Sequence, residues 1–239
     1  MRSDWLALII SYVYVFAMIG IGEGLRKWRG YSTEFTRKLI HISVGMWAFG
    51  TVLLFQHWYF AIIPPLSFVV LNYISYRGEI FKSVETGEKG NLGTVYFPIS
   101  FAIIICLFWE RPNLLVASLM PMTWGDALAA VLGRRYGQRK YSVLGSTRSV
   151  EGSLAMFIFS WLSVFLALLL LPPLGGVLSL VLSSVEGLPK GWQASLLYSL
   201  AVAVFATLVE ALSPWHIDNL TVPLLSAALL YLIHQTFGV

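Results

Sequence analysis

The sequence predicts an all-α, polytopic membrane bundle of about eight helices, because its apolar residues come in runs of bilayer length. Of its 239 residues, 57% are hydrophobic and only 12% charged, whereas a soluble domain carries about 25% charged residues. The charges gather between the apolar runs and are distributed very unequally over alternate connections, as topology determinants are.

The runs are 5–21, 39–55, 58–76, 95–109, 114–132, 153–171, 193–212 and 220–237, and the whole chain, 1–239, reads as one membrane domain whose connections are short except for two cytoplasmic loops, 77–94 and 133–152. The first follows almost no positive charge and ends without a small-residue cleavage pattern, so it is expected to remain as a span. Segment 174–185, set off by Pro172, Pro173, Gly175 and Gly176, is too short to span easily and reads as re-entrant or interfacial. Counting it as a ninth span would send Glu210 and Asp218 to the opposite side.

One set of alternate connections holds Arg26, Lys27, Arg29, Arg37 and Lys38, then Arg77, Lys82 and Lys89, then Arg134, Arg135, Arg139, Lys140 and Arg148. The other holds only Arg2, Arg111 and Lys190. This asymmetry predicts a multi-pass protein with both termini on the face away from the cytoplasm. It also puts Asp126, Glu151, Glu210 and Asp218 at or near the cytoplasmic face, although they lie far apart in sequence. A net charge of +4, accounted for by these clusters, gives no reason to expect a nucleic-acid partner. The single Cys106 sits in an apolar run, which excludes an intramolecular disulfide and offers no thiolate cluster.

The stretch from Trp124 to Ala155 concentrates the chemistry. It mixes Asp126 and Glu151 with Arg134, Arg135, Arg139, Lys140 and Arg148, and interleaves glycines. A site for a polyanion with Mg²⁺ needs this mixture: carboxylates for the metal, cations for phosphates, and glycines where backbone N–H groups approach the anion. Asp126, Ala130, Gly133 and Gly137 recur at helical spacing. Close packing through small residues explains the glycines, but not a carboxylate inside a span. Ser146, Thr147 and Ser149 precede the helix that begins near Glu151 and Gly152, whose N-terminal N–H groups favour a phosphate. Arg148 stands beside them as a bidentate phosphate partner.

Other candidates flank this stretch. Arg37 and His41 are one helical turn apart with Lys38 beside them, and an ionisable His41 inside an apolar run is a functional candidate. For Arg37 and Lys38, anchoring at the membrane surface is an equal alternative. Gly93 and Thr94 are read either as anion contacts or as an ordinary helix start. Glu210 ends one run and Asp218 opens the next in a connection without Lys or Arg, which calls for an outside cation; capping the last helix is the alternative for Asp218. No phosphate-binding G-x-x-x-x-G-K-[ST] occurs, and Gly20-x-Gly22-x-Gly24 lacks the strand that a dinucleotide fingerprint requires.

At these residues the chain resembles the polyprenol kinase family, which includes dolichol kinases and the phytol kinases of chloroplasts and cyanobacteria. Asp126, Ala129, Gly133 and Gly137 match its D-x-x-A-x-x-x-G-x-x-x-G pattern, and Glu151, Gly152 and Ala155 match E-G-x-x-A. The R-K-x-x-H of Arg37, Lys38 and His41, the Gly93 to Pro98 run, and Glu210 with Asp218 to Pro223 are most similar to the phytol kinase branch. Arg148 stands where the family usually has Lys, keeping the charge but changing a point charge into a planar fork.

The resemblance implies transfer of the γ-phosphoryl of CTP, with UTP as a possible donor, to a long-chain isoprenoid alcohol taken from the bilayer lipids. Phytol is the acceptor expected, for isoprenoid salvage toward tocopherol or phylloquinone; farnesol, geranylgeraniol, dolichol or another polyprenol are alternatives. Mg²⁺ is the expected metal, held by Asp126 and Glu151. Gly133, Arg134, Gly137, Lys140, Arg148, Ser149, Gly152, Arg37 and Lys38 are the expected nucleotide contacts, and Asp218, Glu210 or His41 the proton acceptor. A CTP-using lipid cytidylyltransferase is the nearest rival. A small ion-coupled transporter is the rival from another class, although acidic groups gathered at one membrane edge suit an enzyme better.

Overall fold

The computed structural model describes residues 2–78, 80, 91–171, 192–214 and 217–237. Every one of the eight apolar runs is helical along most of its length. The elements are α1 (Arg2–Arg29), α2 (Thr33–Leu54), α3 (Trp58–Ala61), α4 (Ile63–Gly78), α5 (Gly93–Phe108), α6 (Pro112–Met120), a π-helical turn (Pro121–Asp126), α7 (Ala127–Tyr136), strands β1 (Lys140–Val143) and β2 (Ser146–Ser149), α8 (Val150–Leu170), α9 (Trp192–Leu212) and α10 (Asp218–Phe237). Together they form an all-α polytopic membrane bundle with one small hairpin at its edge.

Local chemistry sets the boundaries. Gly30, at φ 69°, ends α1 in a conformation that costs glycine nothing. Ser32 accepts from Phe35 N–H at 3.3 Å and caps α2, while Ser149 accepts from Gly152 N–H at 3.1 Å and caps α8. Pro112 starts α6, where a missing N–H costs little.

Pro112–Tyr136 is one continuous helical stretch and forms the axis of the bundle: 78% of its apolar window is buried, against 22–33% for Ser3–Arg29, Trp58–Gly78, Val150–Leu170 and Trp192–Leu212. These five are the described helices long and apolar enough to cross a membrane by length and composition. That is fewer than the eight runs read from sequence. Among the others, α5 has only 16 residues, and the first turns of α2 carry Glu34, Arg37, Lys38 and His41. Leu115, Val116, Leu119, Met120 and Met122 of the axis are buried in the core, while Trp5, Leu6, Ile9, Val13 and Phe16 leave an apolar stripe along α1 exposed, as a lipid-facing helix requires.

Midway along the axis, Pro121 has no N–H to donate, and the helix widens into the π-helical turn that ends at Asp126. Beside it α8 approaches closely: a Cβ on Gly125 would meet Met156 Sδ at 2.7 Å. One turn further on, a Cβ on Gly152 would meet Gly133 Cα at 3.3 Å and Ala129 O at 3.2 Å. The glycines at this crossing therefore let two helices touch. Gly152→Val should force α7 and α8 apart, costing about 1–3 kcal/mol, measurable as a lower melting temperature in detergent that a Gly20→Ala control on the open face of α1 does not show.

One expectation changes. Segment 133–152, read as a connecting loop, is the last turn of α7 followed by an antiparallel hairpin with Val143 opposite Ser146. Its two-residue turn, Leu144 and Gly145, has φ of 48° and 82°, the left-handed pair that matches strand twist in a tight hairpin. Segment 174–185 lies outside the described residues. Its flanks are informative, however: Glu210 at the end of α9 meets Arg148 at the start of α8, so these helices are antiparallel and Leu171 and Trp192 lie at the same end of the bundle.

Candidate functional site

The end of the bundle that carries Asp126 gathers charge from five elements. Asp126 closes the π-helical turn, Lys38 and Arg37 come from the second turn of α2, Arg148 from β2, Glu210 from the last turn of α9 and Asp218 from the first residue of α10. Each of the Asp126, Glu210 and Asp218 carboxylates offers an oxygen within 4.8 Å of the other two, and all three residues are buried.

Buried carboxylates so close together need cations, and the protein supplies two. Lys38 Nζ lies 2.5 Å from Asp126 Oδ2, both side chains being almost wholly enclosed. Arg148 spreads its fork over the α9–α10 corner: NH1 lies 2.8 Å from Glu210 Oε1, and NH2 lies 3.3 Å from Asp218 Oδ2 while reaching the Glu210 and Ser213 carbonyls at 3.2 and 3.4 Å. Burial opposes the Arg148 charge, but Glu210, Asp218 and Asp126 outweigh it and hold the guanidinium above its ordinary value. Arg148 Nε is buried without a partner, so the fork has donor capacity left.

These groups line a cavity of about 520 Å³. Its wall includes Arg37, Lys38, Asp126, Gly133, Arg134, Gly137, Lys140, Arg148, Ser149, Gly152, Glu210 and Asp218, so most of the candidates read from sequence share one space. Sequence reasoning missed Glu34, Asn91, Thr147 as a wall residue, Ser153 and Asn219. Glu34 pairs with Arg134, linking the start of α2 to the end of α7. Asn219 Nδ2 donates to Gly93 O at 2.7 Å and ties α10 to α5. Its position directly after Asp218 was the available signal.

Two candidates sit elsewhere. Glu151, expected to share a metal with Asp126, is drawn to the hairpin instead: its carboxylate accepts from Arg139 N–H at 3.3 and 3.4 Å, and it is not part of the cavity wall. The carboxylates beside Asp126 are Glu210 and Asp218. The cause is direction: in the first turn of α8, Glu151 faces back toward the chain entering β1. His41 is not in the polar cavity either. Its Nε2 is 2.9 Å from Met122 O, and its ring packs on Phe97 with centroids 4.5 Å apart.

His41 belongs to a second, apolar cavity between α1, α2, α4 and α5, lined by residues such as Val44, Trp47, Phe68, Phe97 and Phe101. Arg37 and Asn219 line both cavities, so the apolar space borders the charged one. A hard cation takes oxygen ligands, and three buried carboxylates beside a basic cavity fit Mg²⁺ together with phosphate oxygens. The arrangement suits a charged substrate and a greasy one meeting at one junction.

No protein-family model matches the chain, and no solved structure does. Curated sequences do. The chain is 30% identical over 230 residues to the phytol kinase of Synechocystis, covering 93% of this chain and 89% of that protein. It is 27% identical to the probable chloroplastic phytol kinase 1 of Oryza sativa, over 96% of this chain and 74% of the relative. It is also 27% identical to the chloroplastic phytol kinase 1 of Arabidopsis thaliana, over 91% and 72%. With a relative of this identity matched along nearly its whole length, the chain belongs to the phytol kinase family.

Proposed function

We propose that the protein transfers the γ-phosphoryl group of CTP to the hydroxyl of phytol, giving phytyl phosphate and CDP. One observation carries the reading: a basic, carboxylate-containing cavity and an apolar cavity share Arg37 and Asn219 at their junction. A nucleotide triphosphate suits the first and an isoprenoid alcohol the second, with the reacting oxygen and phosphorus meeting between them.

Arg37, Lys38, Arg134, Lys140 and Arg148 neutralise the phosphates, and Gly133, Gly137 and Gly152 let the chain lie close to them. Asp126 and Glu210 would hold Mg²⁺, which when bound supplies charge stabilisation to the transferring phosphoryl group. As the alcohol oxygen bonds to the γ-phosphorus, the bond from that phosphorus to the β,γ-bridging oxygen breaks and the electron pair leaves with CDP. The alcohol proton passes to the Asp218 carboxylate, beside Asn219 at the junction. The Lys and Arg asymmetry supports a site near the cytoplasmic face with both termini opposite.

Purified protein in detergent with Mg²⁺ and γ-labelled CTP, UTP or ATP tests the donor and acceptor together. Label should enter the lipid phase with phytol and fastest from CTP. Lipid labelling from ATP alone would remove CTP as donor, and no labelling of phytol while a long polyprenol is labelled would remove phytol as acceptor.

A further inference from the structure

The apolar cavity follows one face of α2, where Arg37, His41, Val44, Trp47 and Thr51 recur every three or four residues. The helix rises about 21 Å between Arg37 and Thr51 at ~1.5 Å per residue. The two ends of this channel differ in chemistry.

At the Arg37 end stand Asn72, Thr94 and Asn219. Asn72 Nδ2 donates to Thr94 O at 2.7 Å, and Asn219 Nδ2 to Gly93 O at 2.7 Å, so both amides are engaged in holding the start of α5. Thr94 is different: the residue lines the channel, and its Oγ1, just beneath the wall, is buried and has no hydrogen-bond partner. A buried hydroxyl left without a partner wants one, and a hydroxyl both donates and accepts. At the far end, Thr51 turns its own hydroxyl back to Trp47 O at 3.0 Å, and Ala61 is 1% exposed. The channel thus has one waiting polar group at its mouth and an apolar floor.

We propose that this channel is a molecular ruler that seats an acyclic alcohol of about four isoprene units, with its hydroxyl on Thr94 Oγ1 and its last unit against Ala61. This rests on the reading of the chain as a lipid-alcohol kinase and adds its chain-length selectivity and a contact for the reacting hydroxyl. Bonds of ~1.5 Å at near-tetrahedral angles advance an extended chain by about 1.3 Å each, so four units span ~19 Å, three ~14 Å and two ~9 Å. Four units come close to the ~21 Å that the lining face of α2 rises from Arg37 to Thr51. Shorter chains leave apolar wall uncovered, and longer ones must pass the floor.

Kinetics with alcohols of two, three, four and eleven isoprene units test the ruler. The wild-type kcat/KM should peak at four units. Ala61→Phe should lower the four-to-three-unit ratio at least tenfold, with nucleotide binding kept. Thr94→Val should raise KM about tenfold at every length, and Thr94→Ser should restore it. Because Ala61 is tightly packed, the unaltered protein provides an independent reading: a four-unit alcohol with a diazirine on its last unit should label residues within 47–65, and unlabelled alcohol should compete. An unchanged length profile in Ala61→Phe, or label spread over outward residues such as Ile9 and Val13, would overturn the proposal. Saturable label within 47–65 in a protein that phosphorylates none of the alcohols would support the channel while sinking the kinase reading on which it was built.

Discussion

Replacing Asp126 by Asn should abolish measurable phosphoryl transfer, a loss on the order of 10³-fold or more, since it removes a carboxylate proposed to hold the metal that stabilises the transferring phosphate. The same change should also destabilise the protein. Lys38, only 7% exposed, would lose the carboxylate 2.5 Å from its ammonium. Breaking a buried pair from one side costs about 3–5 kcal/mol. Activity and stability then fall together, and a single variant does not separate them. The double variant Lys38→Met/Asp126→Asn does: it removes the stranded charge, so the melting temperature in detergent should recover most of the loss. Activity should stay absent. Recovered activity in the double variant would mean that Asp126 serves Lys38 and not the substrate.

Arg148→Ala should be nearly as damaging. It strips the cation from Glu210 and Asp218, which are 3% and 6% exposed, and unties β2 from the α9–α10 corner. A loss of about 10²–10³-fold in kcat/KM is expected for removing a preorganised charge of this kind. Arg148→Lys should retain far more, at a cost of about tenfold. It keeps the charge but offers one compact ammonium where NH1 and NH2 now reach separate acceptors. Steady-state kinetics over a range of CTP concentrations check the assignment: a phosphate contact should raise the KM for CTP in both variants. If Arg148→Ala changed only the melting temperature, the residue would be a structural clamp.

The bundle was legible in the sequence because a membrane leaves a one-dimensional signal. Runs of apolar residues near 20 long read as helices, and each of the eight runs is helical along most of its length, although 58–76 is divided between α3 and α4. The hairpin was not legible. Its turn is Leu144–Gly145 rather than a strong Asn-Gly signal, and its strands have four residues each. Most of the cavity wall followed from clustered charges, but the grouping of carboxylates did not. Asp126 and Glu151 are close in sequence and in the same motif region, which favoured pairing them. Asp126 actually meets Glu210 and Asp218, from helices more than eighty residues later, through a corner that only packing creates. His41 was singled out because an ionisable group is unusual in an apolar run, whereas its surroundings in the second cavity depended on α4 and α5 closing over α2.

The central claim is that this chain moves the terminal phosphoryl group and nothing else from the nucleotide to the alcohol. The most direct measurement follows both ends of the triphosphate in one reaction, with CTP labelled at the α-phosphorus in one tube and at the γ-phosphorus in another. The γ label should appear in the lipid phosphate while the α label remains in CDP. The α label entering the lipid with release of pyrophosphate would contradict the account and identify a cytidylyltransferase.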